Sequence, residues 1–350
     1  MRHDAYSTPY WPRIVAGVLM AATIMLSAPH ASAQATLAAI KQRGSLLCGV
    51  DPGVPGFAFQ DANGKFQGLD VDLCRAVAAA IFGDATKVEY RPLTAKARFA
   101  ALQSGEIDLL VRDSGFNFTR NTQLGLEGAA INFYAGLAFL VKKSLGVKSA
   151  KEFNGATLCS IQGSTIETNT ADFARANKIK LNTVSFETSD EAQKAYLAGR
   201  CDIMCDDNGS LAGIRSKLPN PDEHVILPER ISREPNAAFT RQGDEKFTII
   251  VTWSHYAMVA AEDLGVTSAN VDEMRAKGND PEVKRLLGSE DDFGGMIGLD
   301  KSWAYNIIKQ VGNYGEAYER HFGMSSPLKL PRGLNALWRE GGLQYAPPFR

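Results

Sequence analysis

Residues 102–115 read LQSGEIDLLVRDSG, and residues 197–209 read LAGRCDIMCDDNG. Each stretch has an apolar helix end, a glycine turn, an aspartate, an apolar run and then Asp-x-Gly. Asp108 stands five positions before Asp113 and Asp202 five before Asp207, and Gly115 and Gly209 each follow two residues later. A short apolar run bounded by turn residues reads as a buried strand. The same order of elements precedes each copy. Before the first come SLLCGV (strand), GLDVDLCRAVAAAIFG (helix, with Val71, Leu73, Val77 and Ile81 near helical spacing), KVEYRPL (strand) and AKARFAALQSG (helix). Before the second come ATLCSI (strand), STIETNTADFARAN (helix, with Ser164 or Thr165 as N-cap), KLNTVSF (strand) and SDEAQKAYLAG (helix). Alternating strands and helices call for parallel sheets with helices on both faces. The repeat calls for two similar α/β lobes. From about Lys246 onward the pattern is helical, and the tail is rich in Gly and Pro.

Both apolar runs end abruptly in polar residues. The first continues as Arg112, Asp113, Ser114, Asn117, Thr119 and Arg120, the second as Asp206 and Asp207. Open α/β sheets bind ligands beyond the carboxyl ends of their strands. Two facing lobes therefore present these segments to one cleft.

The wider composition narrows the function classes. The chain has 350 residues and a formal net charge of −1, with no basic block, so nucleic acid is not an expected partner. Arg2, His3 and Arg13 precede an apolar stretch from Ile14 to Leu26, followed by Ala31-Ser32-Ala33. A cationic start, a short apolar middle and a small-residue exit read as a secretory signal peptide over residues 1–33, cleaved near Ala33. Roughly 320 residues remain, enough for two lobes. In an oxidising compartment an even subset of the five cysteines should pair. The simplest pairing is local, Cys48 with Cys74 and Cys159 with Cys201, leaving Cys205 odd. Zinc at Cys201 and Cys205 is disfavoured, because no histidine is near and two strand residues four apart do not converge on a metal. Cys205 reads as a small buried apolar residue rather than a reactive thiol.

Enzyme signatures are missing: the chain has no G-x-S-x-G elbow, no phosphate-binding P-loop and no H-E-x-x-H helix. His224 and His255 stand alone. What the sequence does offer suits a zwitterion. In CSIQGSTIE (159–167) a strand ends, Gly163 turns the chain, and Ser164 and Thr165 open a helix. Backbone N–H groups at such a start, with two hydroxyls, suit a small anion. A plain N-cap is the competing reading. Arg120 adds a guanidinium, whose fork matches a carboxylate. Asp207 supplies the opposite charge for an ammonium group.

Six segments carry a resemblance: GLDVDLCRAVAAAIFGDATKVEY, AKARFAALQSGEIDLL, GRCDI, ANVDEM, WAYNIIKQVGNYGE and SSPLKLPRGLNALWREGGLQYAPPFR. From about Gly44 to the C-terminus the chain resembles the periplasmic solute-binding proteins of polar amino acid ABC importers (family 3), most closely the general L-amino-acid-binding subgroup. The resemblance implies an α/β, type II periplasmic binding fold: two α/β lobes with two hinge crossovers. Lobe 1 would span 34–139 and 242–350 and lobe 2 140–241, with hinge strands near 138–142 and 235–241. It implies no chemical step and no cofactor. An amino acid ligand, a membrane ABC permease as partner, a periplasmic location and a monomeric state are also expected. Its pattern puts the carboxylate-binding arginine at Arg120, the hydroxyl pair at Ser164 and Thr165, the ammonium-binding aspartate at Asp207 and a side-chain-sensing arginine at Arg98. The subgroup also has residues like Cys48, Cys74, Cys159 and Cys201.

The chain departs from that pattern where the first polar burst lies. Relatives in the subgroup have approximately Arg-Asn-Thr-Thr-Trp-Thr-Leu-Ser-Arg where this chain has Arg112 to Arg120. A Thr is replaced by Gly115, an Asn by Asp113 and a Trp by Phe116, and Asp51 stands where a small neutral residue is usual. A lost hydroxyl and added carboxylates weaken the grip on an acid group and favour a cationic side chain or an amine-rich ligand. The bland alternative has Arg112 or Arg98 neutralise Asp113 and leave the pocket unchanged. Two other functions fit the same resemblance. One is a periplasmic dehydratase acting on cyclohexadienyl acids, with Asp51 or Asp113 as general acid. The other is a ligand sensor.

Overall fold

The computed structural model describes Met1, His3 and residues 35–350; the signal peptide expected over 1–33 lies outside the described stretch. The chain begins with α1 (Ala35–Arg43), β1 (Leu46–Val50), a small hairpin of β2 (Phe59–Gln60) and β3 (Phe66–Gln67), α2 (Leu69–Phe82), β4 (Val88–Pro92), α3 (Arg98–Ser104), β5 (Leu109–Gly115), α4 (Phe118–Gln123) and β6 (Leu126–Ala135). A second run follows: β7 (Leu137–Lys142), β8 (Thr157–Ile161), α5 (Ile166–Asn177), β9 (Asn182–Phe186), α6 (Ser189–Leu197), β10 (Ile203–Asp207), α7 (Asn208–Lys217) and β11 (His224–Ile226). The chain then returns through β12 (Glu234–Arg241) to α8 (Glu245–Asp263), α9 (Val271–Lys277), α10 (Pro281–Leu286), α11 (Phe293–Ile297), α12 (Trp303–Gln310) and α13 (Tyr314–His321).

Two five-stranded sheets result, in the orders β4-β1-β5-β12-β6 and β11-β7-β10-β8-β9. Each has three neighbouring strands paired in parallel, as the alternating pattern demands, and one strand, β12 in the first sheet and β7 in the second, that runs against the other four. The strands joined in antiparallel pairs at the edge of each sheet, β6 with β12 and β7 with β11, flank the passages between sheets.

The repeat in the sequence has a matching repeat in bonding. Asp108 sits at the head of β5, where its carboxylate accepts the Leu47 N–H at 2.9 Å and its own N–H donates to the Leu47 carbonyl at 2.9 Å. Asp202 makes the same two bonds with Thr157 at the head of β10, each 2.8 Å. In both lobes an aspartate thus sets the register between the central strand and its parallel neighbour. A disulfide fixes each lobe as well: Cys48 on β1 to Cys74 on α2, and Cys159 on β8 to Cys201 just ahead of β10. Cys205 is free and fully buried.

The crossovers differ in place from the expected hinge strands. Residues 138–142 lie inside the second sheet and residues 235–241 inside the first. The chain changes sheets one step earlier in each case, at Gly136 and at Ser232–Arg233. The two passages run side by side: Ser232 Oγ accepts the Leu137 N–H at 3.2 Å, and the Ile231 N–H donates to the Leu137 carbonyl at 2.9 Å. Asn208 then ties the first passage to α7, its N–H donating to the Gly136 carbonyl and its side chain accepting the Gly136 N–H, both at 3.1 Å. The strands on either side must hydrogen-bond as ladders, so bending is confined to the short links between them.

The helices α8 to α13 pack on the first lobe, as the helical pattern after Lys246 requires. Its core centres on Phe57, Phe133, Tyr318 and Phe322, all fully buried, with ring centroids of Phe57 4.9 Å from Phe322 and 5.0 Å from Phe133. This cluster reaches the junction of the lobes, where a Cβ on Gly209 of α7 would lie 3.1 Å from both Phe57 and Phe133. Gly213, one turn on, faces the carbonyl of Pro55 so closely that a Cβ would overlap it. The small residues of α7 let the second lobe dock on the first.

Two predictions follow from this packing. Gly213→Leu keeps a good helix former but adds bulk at the docking face. The variant should retain the far-ultraviolet circular dichroism and melting behaviour of the parent, yet remain expanded in small-angle X-ray scattering; a scattering profile identical to the parent's would show that the face is not where the lobes meet. Replacing Cys159 and Cys201 by serine opens a loop of 42 residues, and should cost about 2–4 kcal/mol in denaturant unfolding. An unchanged midpoint would mean that the bond does not constrain the second lobe.

Candidate functional site

The carboxyl ends of β5 and β10 meet across a cleft between the lobes, at the place open α/β sheets provide for ligands. Arg98, Arg120, Asp113, Gly115 and Asp51 line it from the first lobe, and Ser164, Thr165 and Asp207 from the second. All eight ligand-site residues picked from the sequence are thus brought to one place. Among the described residues no lysine lines the cleft, and its positive wall is made of guanidiniums.

Arg120 is set by a short helix. Asn117 caps α4, its Oδ1 accepting the Arg120 N–H at 3.0 Å, and the guanidinium donates to the Gly115 carbonyl at 2.6 Å. Arg98 opens α3 and donates to the carbonyls of Ala95 and, across the cleft, Gly163. Phe99 lies between the two arginines, with guanidinium carbons 4.4 Å (Arg98) and 4.9 Å (Arg120) from its ring centre. Stacking on the ring fixes both side chains without consuming their donors. Arg98 Nε is buried without a hydrogen-bond partner. Burial, with the other two arginines nearby, pushes the Arg98 guanidinium well below its usual range, and burial lowers Arg120 in the same direction.

Arg112 does not neutralise Asp113. Its guanidinium pairs with Asp51 at 2.5 Å and its Nε–H donates to the Leu93 carbonyl at 2.7 Å. Asp113 is held by neutral donors instead: the Ser210 hydroxyl at 2.5 Å and the Asn236 amide at 2.5 Å. The reason lies in the backbone. Asp113 takes a positive φ of 38° and its N–H donates to Asp70 Oδ2 at 2.9 Å, which turns its side chain away from Arg112 and toward the second lobe.

Asp207 stands at the N-cap position of α7, yet its side chain makes no cap bond. One oxygen accepts the same Asn236 amide at 2.8 Å; the other, Oδ1, is buried without a partner. Asp206 accepts the Asp207 N–H at 2.8 Å and also lines the cleft. Burial, compounded by mutual repulsion, raises the carboxyls of Asp206 and Asp207 well above the usual range. Burial raises Asp113 too, against the bonds it accepts. Asp70, behind Asp113, is pushed up to about 7 by burial and by the Asp113 charge.

The helix start at the opposite wall differs from a simple cap. Thr165 occupies the N-cap position of α5 without a cap bond, and Ser164 Oγ accepts the Ile166 N–H at 3.3 Å while donating to the Ile161 carbonyl at 2.6 Å.

Three lining or bridging residues escaped sequence reasoning: Glu234, Asn236 and Ser210. Glu234 and Asn236 belong to β12, where EPNAAF reads as an ordinary strand start; their signal is polarity inside an otherwise apolar run. Glu234 explains Gly115. A Cβ on Gly115 would overlap Glu234 Oε2, so the space a side chain would fill at 115 is taken by that carboxylate. Asn169 donates to Glu234 Oε1 at 3.0 Å, and burial raises this carboxyl.

Comparison with known proteins agrees with this architecture. The family model of the bacterial extracellular solute-binding proteins, family 3, matches residues 46–152. The putative amino-acid ABC transporter-binding protein YhdW of Escherichia coli (strain K12) is 49% identical over 339 residues, covering 97% of this chain and 99% of that one. The general L-amino acid-binding periplasmic protein AapJ of Rhizobium johnstonii is 50% identical over 340 residues, again 97% and 99% of the two chains. A solved ABC transporter periplasmic binding protein from Brucella ovis with glutathione bound superposes with a TM-score of 0.88 at 51% identity, covering 90% of this chain and 99% of that one. With two sheets joined by paired crossovers and relatives that match from end to end, this chain belongs to family 3 of the bacterial extracellular solute-binding proteins.

Proposed function

We propose that the protein captures an amino acid outside the cytoplasm and, by closing its lobes over it, presents it to a membrane ABC permease. The observation that carries this reading is the pairing of opposite charges in one cleft: Arg120 and Arg98 on one lobe, the latter with a partnerless Nε, and Asp207 with its partnerless Oδ1 on the other. Buried polar atoms without partners are rare in folded proteins. A carboxylate at the arginines and an ammonium at Asp207 satisfy both walls at once, which is the charge pattern of an α-amino acid. Thr165 and the start of α5 add donors on the carboxylate side.

Capture needs no chemical step. The relatives are binding proteins; of the two aspartates an enzyme would use as an acid, Asp51 is held by Arg112 and Asp113 by Ser210 and Asn236. Closure comes from differential binding: a ligand touching both lobes stabilises the closed arrangement over the open one. The names of YhdW and AapJ point to amino acids as the ligand class. Glutathione, present in the Brucella ovis structure, carries an α-amino acid group at its γ-glutamyl end and so offers the same two charges. A periplasmic location, reached by cleavage near Ala33, and a monomeric state complete the proposal. No described helix is long and apolar enough to cross a membrane.

The test is titration calorimetry on the parent and two variants. Each charge-assisted bond is worth about 1.5–3 kcal/mol, so Arg120→Ala should weaken amino acid binding on the order of 100-fold or more. Asp207→Ala should weaken it about 10- to 100-fold, because Asp113 remains close. Both variants should melt near the parent. Normal affinity in both would refute the site; loss of the fold in either would be met by the gentler Arg120→Gln or Asp207→Asn.

A further inference from the structure

Charge at the cleft is unbalanced. Five carboxylates line it, Asp51, Asp113, Asp206, Asp207 and Glu234, against three guanidiniums, Arg98, Arg112 and Arg120. The pairing of Asp51 with Arg112 removes one of each sign. Four acids then face two arginines. Among the described residues no group of three or more His, Cys, Asp or Glu side chains is arranged to hold a metal ion.

The placement of the excess matters as much as its size. Asp113 belongs to the first lobe, Asp206 and Asp207 to the second. Closure brings them together: Ser210 of α7 reaches across to Asp113, and Asn236 of β12 donates from one amide nitrogen to both Asp113 and Asp207. Those donors are neutral. They satisfy lone pairs but bring no positive charge; the Asp113 and Asp207 carboxyls lie within bonding reach of each other, so only a shared proton offsets their repulsion, with Asp70 behind Asp113. Asp207 Oδ1 lacks even a neutral donor. A zwitterion adds no net charge, and an acidic side chain adds another negative one beside Glu234. A second positive centre is the feature that turns a repulsive closure into an attractive one.

We propose that the cleft selects amino acids with a second cationic group, an amine or guanidine on the side chain, and that Asp113 and Asp206 determine this preference. The inference rests on the amino-acid reading above and narrows it. Arg120 holds the α-carboxylate and Asp207 the α-ammonium; Asp113 and Asp206 hold the distal cation in the closed form. Raised carboxyl pKa values add a pH signature. At low pH the acids that face one another, Asp70, Asp113, Asp206, Asp207 and Glu234, carry protons that a cationic ligand must displace. The guanidiniums of Arg98, Arg112 and Arg120 face these acids from the first lobe and favour their ionised form. Affinity for a dibasic ligand therefore rises with pH through the folded-state pKa values, and affinity for a neutral side chain changes less.

Calorimetric titration with lysine, ornithine, arginine, glutamine, glutamate and glutathione tests the inference on the unaltered protein. The three basic ligands should bind at least about tenfold more tightly than glutamine, and glutamate and glutathione should bind more weakly still. The lysine-to-glutamine affinity ratio should grow between about pH 5.5 and about pH 8. In an Asp113→Asn, Asp206→Asn double variant that ratio should collapse by at least about fivefold, a readout that a general loss of folded protein does not change. Glutamate or glutathione matching the basic ligands would overturn the inference and leave the amino-acid reading intact. A ratio unaltered in the folded double variant would overturn the roles of Asp113 and Asp206. Failure of every ligand to bind would overturn the amino-acid reading itself.

Discussion

The structure depends on what happens when the ends of two central strands are brought face to face. β5 ends in Asp113 and β10 in Asp207, and a single amide, that of Asn236, bridges them across the cleft. Burying like charges is costly unless protons, donors or counter-ions offset them. Part of the offset is internal, from Ser210, Asn236 and the raised carboxyl pKa values. The rest is left open at Asp207 Oδ1 and at Arg98 Nε. A cleft whose walls still hold unpartnered groups is one whose closure a ligand can reward, and that is what a binding protein requires of its hinge.

The scaffold serves this by keeping each lobe rigid and the links between them short. Asp108 and Asp202 perform the same register-setting task at the heads of the two central strands. The two disulfides each fasten a parallel strand to the structure beside it. Between the lobes only the segments around Gly136 and Ser232–Arg233 pass, and they lie against each other. Close docking of α7 on Phe57, Phe133 and Pro55 is permitted by Gly209 and Gly213, whose missing side chains leave the room. The positive side of the cleft is fixed in a comparable way, by stacking two guanidiniums on Phe99.

Much of this was legible in the sequence because it is local. Strand-helix alternation, the Asp-strand-Asp-x-Gly repeat and the polar burst after Val111 all sit in contiguous stretches, and they locate both the fold and the cleft. The side of the site contributed by the return strand was not legible. Glu234 and Asn236 reach the cleft because β12 inserts between β5 and β6, a pairing of residues more than a hundred positions apart that leaves no local trace. The alternative in which Arg112 neutralises Asp113 fails for a related reason. Adjacency in sequence favours Asp113, but successive strand residues point to opposite faces, and the positive φ at Asp113 turns it further. The position of the crossovers shifted by a few residues because a ladder strand and a hinge strand share the same apolar pattern; only pairing distinguishes them.

The account stands or falls on where a ligand sits. A crystal structure of the protein grown with its amino acid ligand is the most direct measurement. It should show one molecule between the lobes, its α-carboxylate on the guanidinium of Arg120 and its α-amino group within hydrogen-bond distance of Asp207 Oδ1. A ligand seated elsewhere, or held in the cleft with neither of these contacts, would contradict it.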